Sequence, residues 1–557
     1  QTIALANKAT TLTVPDILIT PNVGTYNVTF TSGNLRPSTG SSVPMFIWQN
    51  NLAGELILLA GIGNSSTGTS AYVQNGPGTV SLTVTTSGYS GQSYLNGGVS
   101  LIASNGSLGS AASGSAINLN GGTVLANGTF ALDNGGINLR PVNLLANGGG
   151  LAATAGNTLT VDGVIGSAAN AGPLTIGLSA STANGNVAGL VPGTGSGTAN
   201  TTAVNATGTV TLTNANYYFG GTVLQSGTLN INGIFALGGG NYGGLTFNGG
   251  TLQYAANVTG LNGSSDLTSI GTAGLTLATG GGTIDLNGNA VSYAGSIGNN
   301  GTGALKVKSS LANGSLNLQG ANAYGGNTTV TNATLLVNNL SGSATGAGDI
   351  TVQNSALFGG GGAVGGSVNV ISGGTFAPNN LPGDLNIGAN LTLAAGSKTV
   401  MQIQHSPLAS DGVVISGTLN AGGTLTVTNL GGILTNGDSF TLFNAANYSG
   451  TFNTLVLPPL APGLFWNTNQ LNLSGILSVA AYTSPAIGQI VLNGDSTLSL
   501  AGSGGIPYWN YYVLASTNLM SNWTPITTNQ FNPDGTFNWT ANLNANAPQQ
   551  FYQIKVP

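Results

Sequence analysis

Short β-favouring runs that end in glycine or asparagine turns recur along most of this chain, and they restrict its possible folds more than any other feature. Gly-Gly-Thr followed by an apolar residue marks many of the turns. Glycine adopts the positive φ angles of tight corners, and threonine, which is β-branched, starts a strand well. Strands this short and regularly interrupted predict a solenoid, in which each turn of chain stacks on the one before. The motif occurs at Gly121–Val124, Gly249–Leu252, Gly281–Ile284, Gly373–Phe376 and Gly422–Leu425.

Composition separates this solenoid from the other glycine-rich classes. The 92 glycines do not follow the every-third-residue period that collagen requires. Hydrophobic residues make up 41% of the chain and the net charge is only −5, whereas disordered chains combine low hydrophobicity with high charge. We therefore predict an all-β protein, a parallel β-helix with a C-terminal β-sandwich domain. Asparagine tolerates the corners too, and stacked Asn side chains predict hydrogen-bonded ladders between turns.

Three regions are expected along the chain. Residues 1–74 are the least repetitive and predict an N-terminal β region that caps the helix. Residues 75–480 carry the repeated turns and predict the β-helix. Residues 481–557 alternate polar and apolar residues more regularly and contain three of the five tryptophans, which predicts a separate β-sandwich. This last segment resembles the small β-sandwich that closes many secreted bacterial repeat proteins.

Charged residues make up only 3% of the chain, and this argues against enzyme activity and against nucleic-acid binding. Enzymes rely on ionisable groups, and nucleic-acid binding needs clustered Lys and Arg. The absence of cysteine excludes disulfides and thiolate metal sites. Aspartate is missing from the positions that calcium-binding glycine-rich repeats require. We expect no enzyme activity, no catalytic, cofactor-binding or metal-binding residues, no nucleic-acid partner and no transmembrane segment.

Two groups of residues are the remaining candidates for catalysis. Asp266 and Asp285 lie about one turn apart and suggest the carboxylate pair of a polysaccharide-degrading enzyme, but no basic residue is expected beside them. They are interpreted as solvated turn residues. His405, the single histidine, lacks the sequence context of a catalytic triad and is expected in a surface loop.

One motif gives the repeats a family likeness. Ala215-Asn216-Tyr217-Tyr218-Phe219-Gly220-Gly221-Thr222 resembles the passenger-associated β-strand repeat of bacterial autotransporters, and a looser copy runs from Ala321 to Thr328. The resemblance extends over about residues 75–480 and implies a right-handed parallel β-helix that is secreted and exposed at the cell surface. The segment after Ala480 is too short for the translocator barrel that ends such proteins, so self-transport is not expected. The start at Gln1 is typical of a mature chain after signal-peptide removal.

Two functions fit this description. The main prediction is an extracellular structural protein whose copies associate with one another into a filament or surface layer. Apolar side chains at strand spacing near the N-terminus are the assembly candidates: Ile3, Leu5, Leu12 and Val14. The alternative is a monomeric surface adhesin that binds glycans or host polymers through exposed aromatic residues, for which the dense cluster Tyr217, Tyr218 and Phe219 is the candidate.

Overall fold

The structure is a computed structural model, and it describes residues 2–4, 11–110, 114–178, 206–259, 266–268, 274–298, 301–378, 383–481, 484–520, 522–543 and 549–556. These residues form two compact units. The first comprises Gln1–Val400, Gly412–Leu425 and Ala445–Thr454. The second comprises Met401–Asp411, Thr426–Asn444 and Leu455–Pro557, so the boundary predicted after residue 480 falls inside it.

The first unit is a parallel β-helix, as predicted from the repeats. Its strands pair with strands one turn away, and its faces are long ladders of such pairs. An eleven-stranded ladder contains Thr2–Ala4, Val28–Thr31, Leu56–Leu58, Thr79–Leu82, Val99–Ile102, Thr123–Ala126, Gly149–Ala153, Leu174–Ile176, Thr222–Leu224, Leu245–Phe247 and Leu275–Leu277. A seven-stranded ladder contains Asp16–Ile19, Met45–Gln49, Tyr72–Asn75, Ser93–Leu95, Ile117–Leu119, Val142–Leu144 and Ile165–Ser167.

Two further ladders carry the later turns. One contains Phe130–Ala131, Thr158–Val161, Thr209–Leu212, Thr228–Ile231, Thr251–Tyr254, Gly282–Asp285, Leu305–Lys308, Thr328–Thr331, Ile350–Val352, Val368–Val370, Leu391–Leu393, Ala409–Ala421 and Phe443–Gly450. The other contains Ala290–Tyr293, Ser315–Leu318, Thr334–Val337, Leu357–Gly359, Thr375–Phe376, Lys398–Gln404, Thr424–Asn429 and Thr454–Val456. Shorter ladders join Thr11–Thr13, Asn34–Arg36 and Gly61–Ile62, and Ala363–Val364 with Gly383–Ile387.

The same parallel pairing already includes the strands of the first 74 residues. Thr2–Ala4 pairs with Thr29–Thr31, and Asp16–Ile19 pairs with Phe46–Gln49. The N-terminal strands therefore lie on the first turns of their own β-helix. Although the sequence of these strands is less repetitive, their backbone pairing is the same as that of the later turns.

Alternating burial explains why these strands form. Along Thr228–Ile231 and Thr251–Tyr254 the second and fourth residues are buried and the others half-buried, as expected when successive side chains point to opposite faces of a sheet. The corners follow the predicted chemistry, because Gly249 and Gly281 in the Gly-Gly-Thr motif have φ of 124° and 65°. Buried Leu, Ile and Val side chains from each turn fill the interior.

Polar ladders connect successive turns, as the abundance of asparagine predicted. The side chains of Asn230 and Gln253, 23 residues apart, hydrogen-bond at 2.7 Å. The amide of Asn143 donates to Asn118 Oδ1 at 2.9 Å on another face. These bonds join uncharged side chains, so the turns are held together with few ion pairs.

The second unit contains antiparallel sheets. Its C-terminal part forms a β-sandwich of two three-stranded sheets around a core that includes Tyr511, Phe531 and Phe537. One sheet consists of Ala486–Leu492, Thr497–Ser503 and Phe537–Asn542, and the other of Asn510–Ser516, Thr524–Gln530 and Phe551–Lys555. A further sheet consists of Ser439–Thr441, Leu464–Asn467 and Ile476–Ala481.

Helices in the described residues are single turns. They are the α-helix Leu471–Ser474 and the 3-10 helices Pro21–Val23, Asn105–Leu108, Ile234–Leu237 and Gly239–Asn241.

Candidate binding surface

The aromatic run of the first unit is an extended segment that alternates between the interior and the surface. Asn216 and Tyr218 are buried, whereas Tyr217 is 55% exposed and Phe219 39% exposed. Alternation of this kind is the geometry of an extended chain lying on a solenoid. The segment therefore presents two aromatic rings to solvent and uses the residues between them as anchors.

Asn216 ties the segment to the turns on both sides. Its Oδ1 accepts a hydrogen bond from the Ile165 backbone N–H at 2.7 Å, and its Nδ2 donates to the Ala236 carbonyl at 2.7 Å. Both bonds are buried. They satisfy two backbone groups that would otherwise lack a hydrogen bond. One amide side chain thus bridges three successive turns.

Tyr218 provides the second anchor. Its hydroxyl lies 2.7 Å from Thr222 Oγ1 in the interior, where Thr222 begins the next strand. Burial raises the pKa of this phenol well above its ordinary value, and the bond to Thr222 lowers it by a smaller amount. The phenol stays neutral and acts as part of the core.

A third exposed aromatic residue lies on the following turn. Phe235 is 51% exposed, and its carbonyl accepts a hydrogen bond from the Asn216 backbone N–H at 2.8 Å. Phe235 was not predicted from the sequence, because nothing in its local sequence relates it to Tyr217. We call Tyr217, Phe219 and Phe235 the aromatic patch.

The preceding turn supports the patch from one side. A Cβ atom placed on Gly166 would lie 2.6 Å from Cε2 of Tyr217, so the tyrosine ring rests on the bare backbone of that glycine. Ser167 Oγ accepts a hydrogen bond from the Phe219 backbone N–H at 3.1 Å. The Tyr217 ring and the Phe219 backbone are thereby held in place before any ligand arrives, which lowers the entropic cost of binding.

The structure corrects the predicted glycan-contact set in one member. Tyr218 is fully buried and cannot touch a ligand, because the side-chain alternation that exposes Tyr217 and Phe219 turns Tyr218 inward.

The looser repeat copy builds the same anchors. Asn322 Oδ1 accepts from the Ile297 backbone N–H, its amide donates to the Ala344 carbonyl, and the Tyr324 hydroxyl lies 2.7 Å from Thr328 Oγ1. The shared pattern is Asn-x-Tyr-x-x-x-Thr. Ala323 and Gly325 occupy the positions of Tyr217 and Phe219, so the second copy has the anchors without the exposed aromatic rings.

A third copy of the anchors, at Tyr89, was not predicted from the sequence. The Tyr89 hydroxyl lies 2.8 Å from Ser93 Oγ, and Ser87 occupies the place of the asparagine. Serine replaces both the Asn and the Thr of the pattern. The position of the tyrosine between two polar residues is therefore the one sequence signal for this copy.

The predicted assembly residues lie on the first turns. Ile3 is 42% exposed and pairs with Phe30, while Leu12 pairs with Leu35 and is half-buried, as is Val14. Leu5 lies outside the described residues.

The two aspartates considered for catalysis are buried rather than solvated. Asp266 accepts hydrogen bonds from the Thr268 backbone N–H at 2.8 Å and from the Ala294 N–H at 2.7 Å. Asp285 is 1% exposed and lies 3.3 Å from Lys308 Nζ, so the expectation that no base would be near was wrong. The parallel register places Lys308 directly opposite Asp285 on the next turn.

Hydrogen bonding determines the charge state of Asp285. Burial alone would raise the pKa of this carboxyl, but hydrogen bonds from Ser310 and Gln253, together with the Lys308 ammonium, hold it below its usual value. The carboxylate is thus ionised and occupied by protein partners, which is the arrangement of a structural ion pair.

His405, in the second unit, is one-third exposed, and its Nδ1 lies 2.8 Å from Asp438 Oδ2. The same carboxylate oxygen accepts from the Thr435 backbone N–H at 2.8 Å. The pair fastens a loop next to the hairpin that carries His405.

The repeat and the fold together define an autotransporter passenger-like parallel β-helix, which confirms the resemblance seen in the sequence. The chain is 30% identical over 413 residues to the adhesin BmaC autotransporter of Brucella suis biovar 1 (strain 1330). The alignment includes 69% of this chain but spans only 11% of that much longer protein. No protein-family model matches the chain.

The described part of the chain offers neither a membrane-spanning helix nor a metal site. None of its helices is long and apolar enough to cross a bilayer. It contains no group of three or more His, Cys, Asp or Glu side chains placed to hold a metal ion.

Proposed function

We propose that this chain is a passenger segment of a bacterial surface adhesin and that its aromatic patch binds the sugar rings of glycans or glycosylated host polymers. The relative that it resembles is named as an adhesin. That likeness supports the adhesin alternative more than the filament that the sequence analysis favoured. Export to the cell surface is part of the same proposal.

The observation that carries the proposal is the exposure of three aromatic rings on neighbouring segments of the β-helix. Tyr217, Phe219 and Phe235 each leave 39–55% of their surface in contact with solvent, whereas most large apolar side chains of this β-helix are buried. Aromatic faces stack on the apolar face of a sugar ring, and the tyrosine hydroxyl adds a hydrogen-bonding group. The Tyr217 ring rests on Gly166 and its segment is anchored by Asn216, so this ring needs little ordering upon binding.

The proposed activity is binding without catalysis. The two carboxylates considered for catalysis have protein partners, since Asp285 pairs with Lys308 and Asp266 accepts backbone N–H groups. A glycosidase requires two carboxyl groups that flank the scissile bond and exchange a proton with it.

A glycan array tests this proposal. The wild-type chain should bind a defined subset of glycans, and Tyr217→Ala with Phe219→Ala should abolish that binding. Tyr26→Ala serves as the matched control, because Tyr26 is 63% exposed but lies on an early turn, far from Tyr217 in the sequence. Equal binding by wild type and double variant would refute the proposal.

A further inference from the structure

A single row of outward-facing residues, mostly threonine, follows one ladder of the β-helix through consecutive turns. In register order it consists of Thr158, Thr209, Thr228, Thr251, Thr283, Lys306, Thr329, Thr351, Asn369, Thr392 and Asn420. We call this row the threonine column. All of its members are half-buried except Lys306, which is exposed. Paired strands lie about 4.8 Å apart, so the column repeats its side chains at that interval.

Most hydroxyls of this column have no hydrogen-bond partner among the described residues. Those of Thr158, Thr209, Thr228, Thr251, Thr283, Thr329 and Thr351 form no hydrogen bond with another described residue, whereas the Thr392 hydroxyl accepts one from Asn420 at 3.2 Å. The neighbouring row on the same ladder differs. There Asn230 donates to Gln253 and Thr331 donates to Gln353, so its polar groups satisfy one another from turn to turn.

The charge along the column restricts the chemical class of the ligand. From Thr158 to Thr283 the row carries no charged residue, and in the neighbouring row Asp285 and Lys308 neutralise each other. A charged polymer would find no complementary row here, and an apolar partner would leave the hydroxyls without hydrogen bonds. A neutral polymer rich in hydroxyl groups matches both properties.

The arrangement of the free groups limits the shape of the ligand. Because the adjacent row satisfies itself between Asn230 and Gln353, the free hydroxyls form a line rather than a two-dimensional array. A line with a regular spacing fits a linear repeating polymer. We propose that the threonine column binds a neutral linear polysaccharide that lies along the β-helix axis, one sugar after another over successive turns.

This site is independent of the aromatic patch. Tyr217 and Phe219 lie on the segment that leads into Thr222–Leu224, which belongs to the eleven-stranded ladder, whereas the column lies on the ladder that includes Thr228–Ile231. Loss of one binding activity should therefore leave the other in place, and the two proposals can fail separately.

Affinity for soluble neutral polysaccharides (hydroxyethyl cellulose, dextran and mannan) is the first measurement. Thr228→Val, Thr251→Val and Thr283→Val together remove three hydroxyls while keeping the β-branched shape, and should weaken binding by about tenfold or more. Thr175→Val, Thr334→Val and Thr375→Val, half-exposed threonines off the column, are the matched control and should bind as wild type. The Tyr217→Ala, Phe219→Ala variant should also keep this binding.

Chain length and charge give two further readouts. Cello-oligosaccharides should bind more tightly as they lengthen, because each added sugar meets another turn of the same column. Carboxymethyl cellulose should gain nothing over the neutral polymer at low salt. Failure of wild type to bind any of the neutral polymers, unchanged affinity in the column variant, or equal affinity for two-sugar and six-sugar ligands would overturn the proposal.

Discussion

The hydroxyl of Tyr218 lies 2.7 Å from Thr222 Oγ1 inside the β-helix, and Tyr324 stands in the same relation to Thr328. The three residues between the tyrosine and the start of the strand form a corner, so the bond closes that corner from within. The same tyrosine lies between Tyr217 and Phe219, two of the three residues of the aromatic patch. The buried contact and the exposed rings thus belong to one short segment.

Removal of this contact should destabilise the turn by a modest amount. Tyr218→Phe keeps the buried ring but leaves the Thr222 hydroxyl without its partner, so we expect a loss of about 1 kcal/mol. Tyr218→Ala also creates a cavity and should cost about 3–5 kcal/mol. Native-state hydrogen exchange of the strand Thr222–Leu224 measures both losses. Equal exchange in wild type and Tyr218→Phe would show that the bond contributes nothing.

Asn216 should matter more than its size suggests. Asn216→Ala leaves the Ile165 N–H and the Ala236 carbonyl buried without a hydrogen bond, at a cost of about 1–3 kcal/mol for each group. The Ile165 amide should therefore exchange with solvent much faster in this variant. Asn241→Ala is the control, since its side chain reaches the Tyr217 carbonyl only at 3.5 Å and from an exposed position. Unchanged protection of Ile165 would contradict the bridging role.

Gly166 should affect glycan affinity through its contact with the Tyr217 ring, without touching the ligand itself. Gly166→Ala places a methyl group against the Tyr217 ring and tilts it, so glycan affinity should fall about two- to tenfold while the fold is kept. Tyr217→Ala in the Gly166→Ala background should then cost less than in wild type, because the ring is already displaced. Additive effects of the two changes would argue against a supporting role for Gly166.

Acid should weaken the β-helix through Asp285. Because the folded-state pKa of this carboxyl lies below its unfolded value, the ionised group stabilises the fold above about pH 4. That stabilisation is lost as the pH falls through the folded-state pKa. Asp285→Asn should lower stability near neutral pH and reduce the loss in acid. Thermal melts between about pH 7 and pH 2 measure this, and parallel pH profiles for the two proteins would exclude the effect.

The sequence predicted the solenoid because its signals are local and repeated. Gly249 and Gly281 start corners whose φ angles only glycine adopts readily, and Thr251 and Thr283 follow them into strands. The C-terminal strands were found for a similar reason, since their alternation is a short-range pattern. The division of the strands among separate ladders was not predicted. Which strands pair depends on the number of residues in each turn, and this number varies along the chain.

The binding surface was predicted only in part. Tyr217 and Phe219 were found because aromatic residues are rare in this chain, but Tyr218 was misassigned because composition does not say which way a side chain points. Phe235 was missed because it lies on the next turn, where its backbone pairs with Asn216. The Asp285–Lys308 pair was missed for the same reason, since strand register brings distant residues together. Assembly of copies through Ile3, Leu5, Leu12 and Val14 stays a prediction.

Adhesion of protein-coated beads to a surface bearing the glycans identified on the array tests the central claim most directly. Beads that carry the wild-type chain should adhere, and beads that carry Tyr217→Ala with Phe219→Ala should fall to the level of uncoated beads. Tyr26→Ala beads should adhere as wild type does, and circular dichroism should show an unchanged β fold in all three proteins. Full adhesion by the double variant would contradict the claim that the aromatic patch is the binding surface.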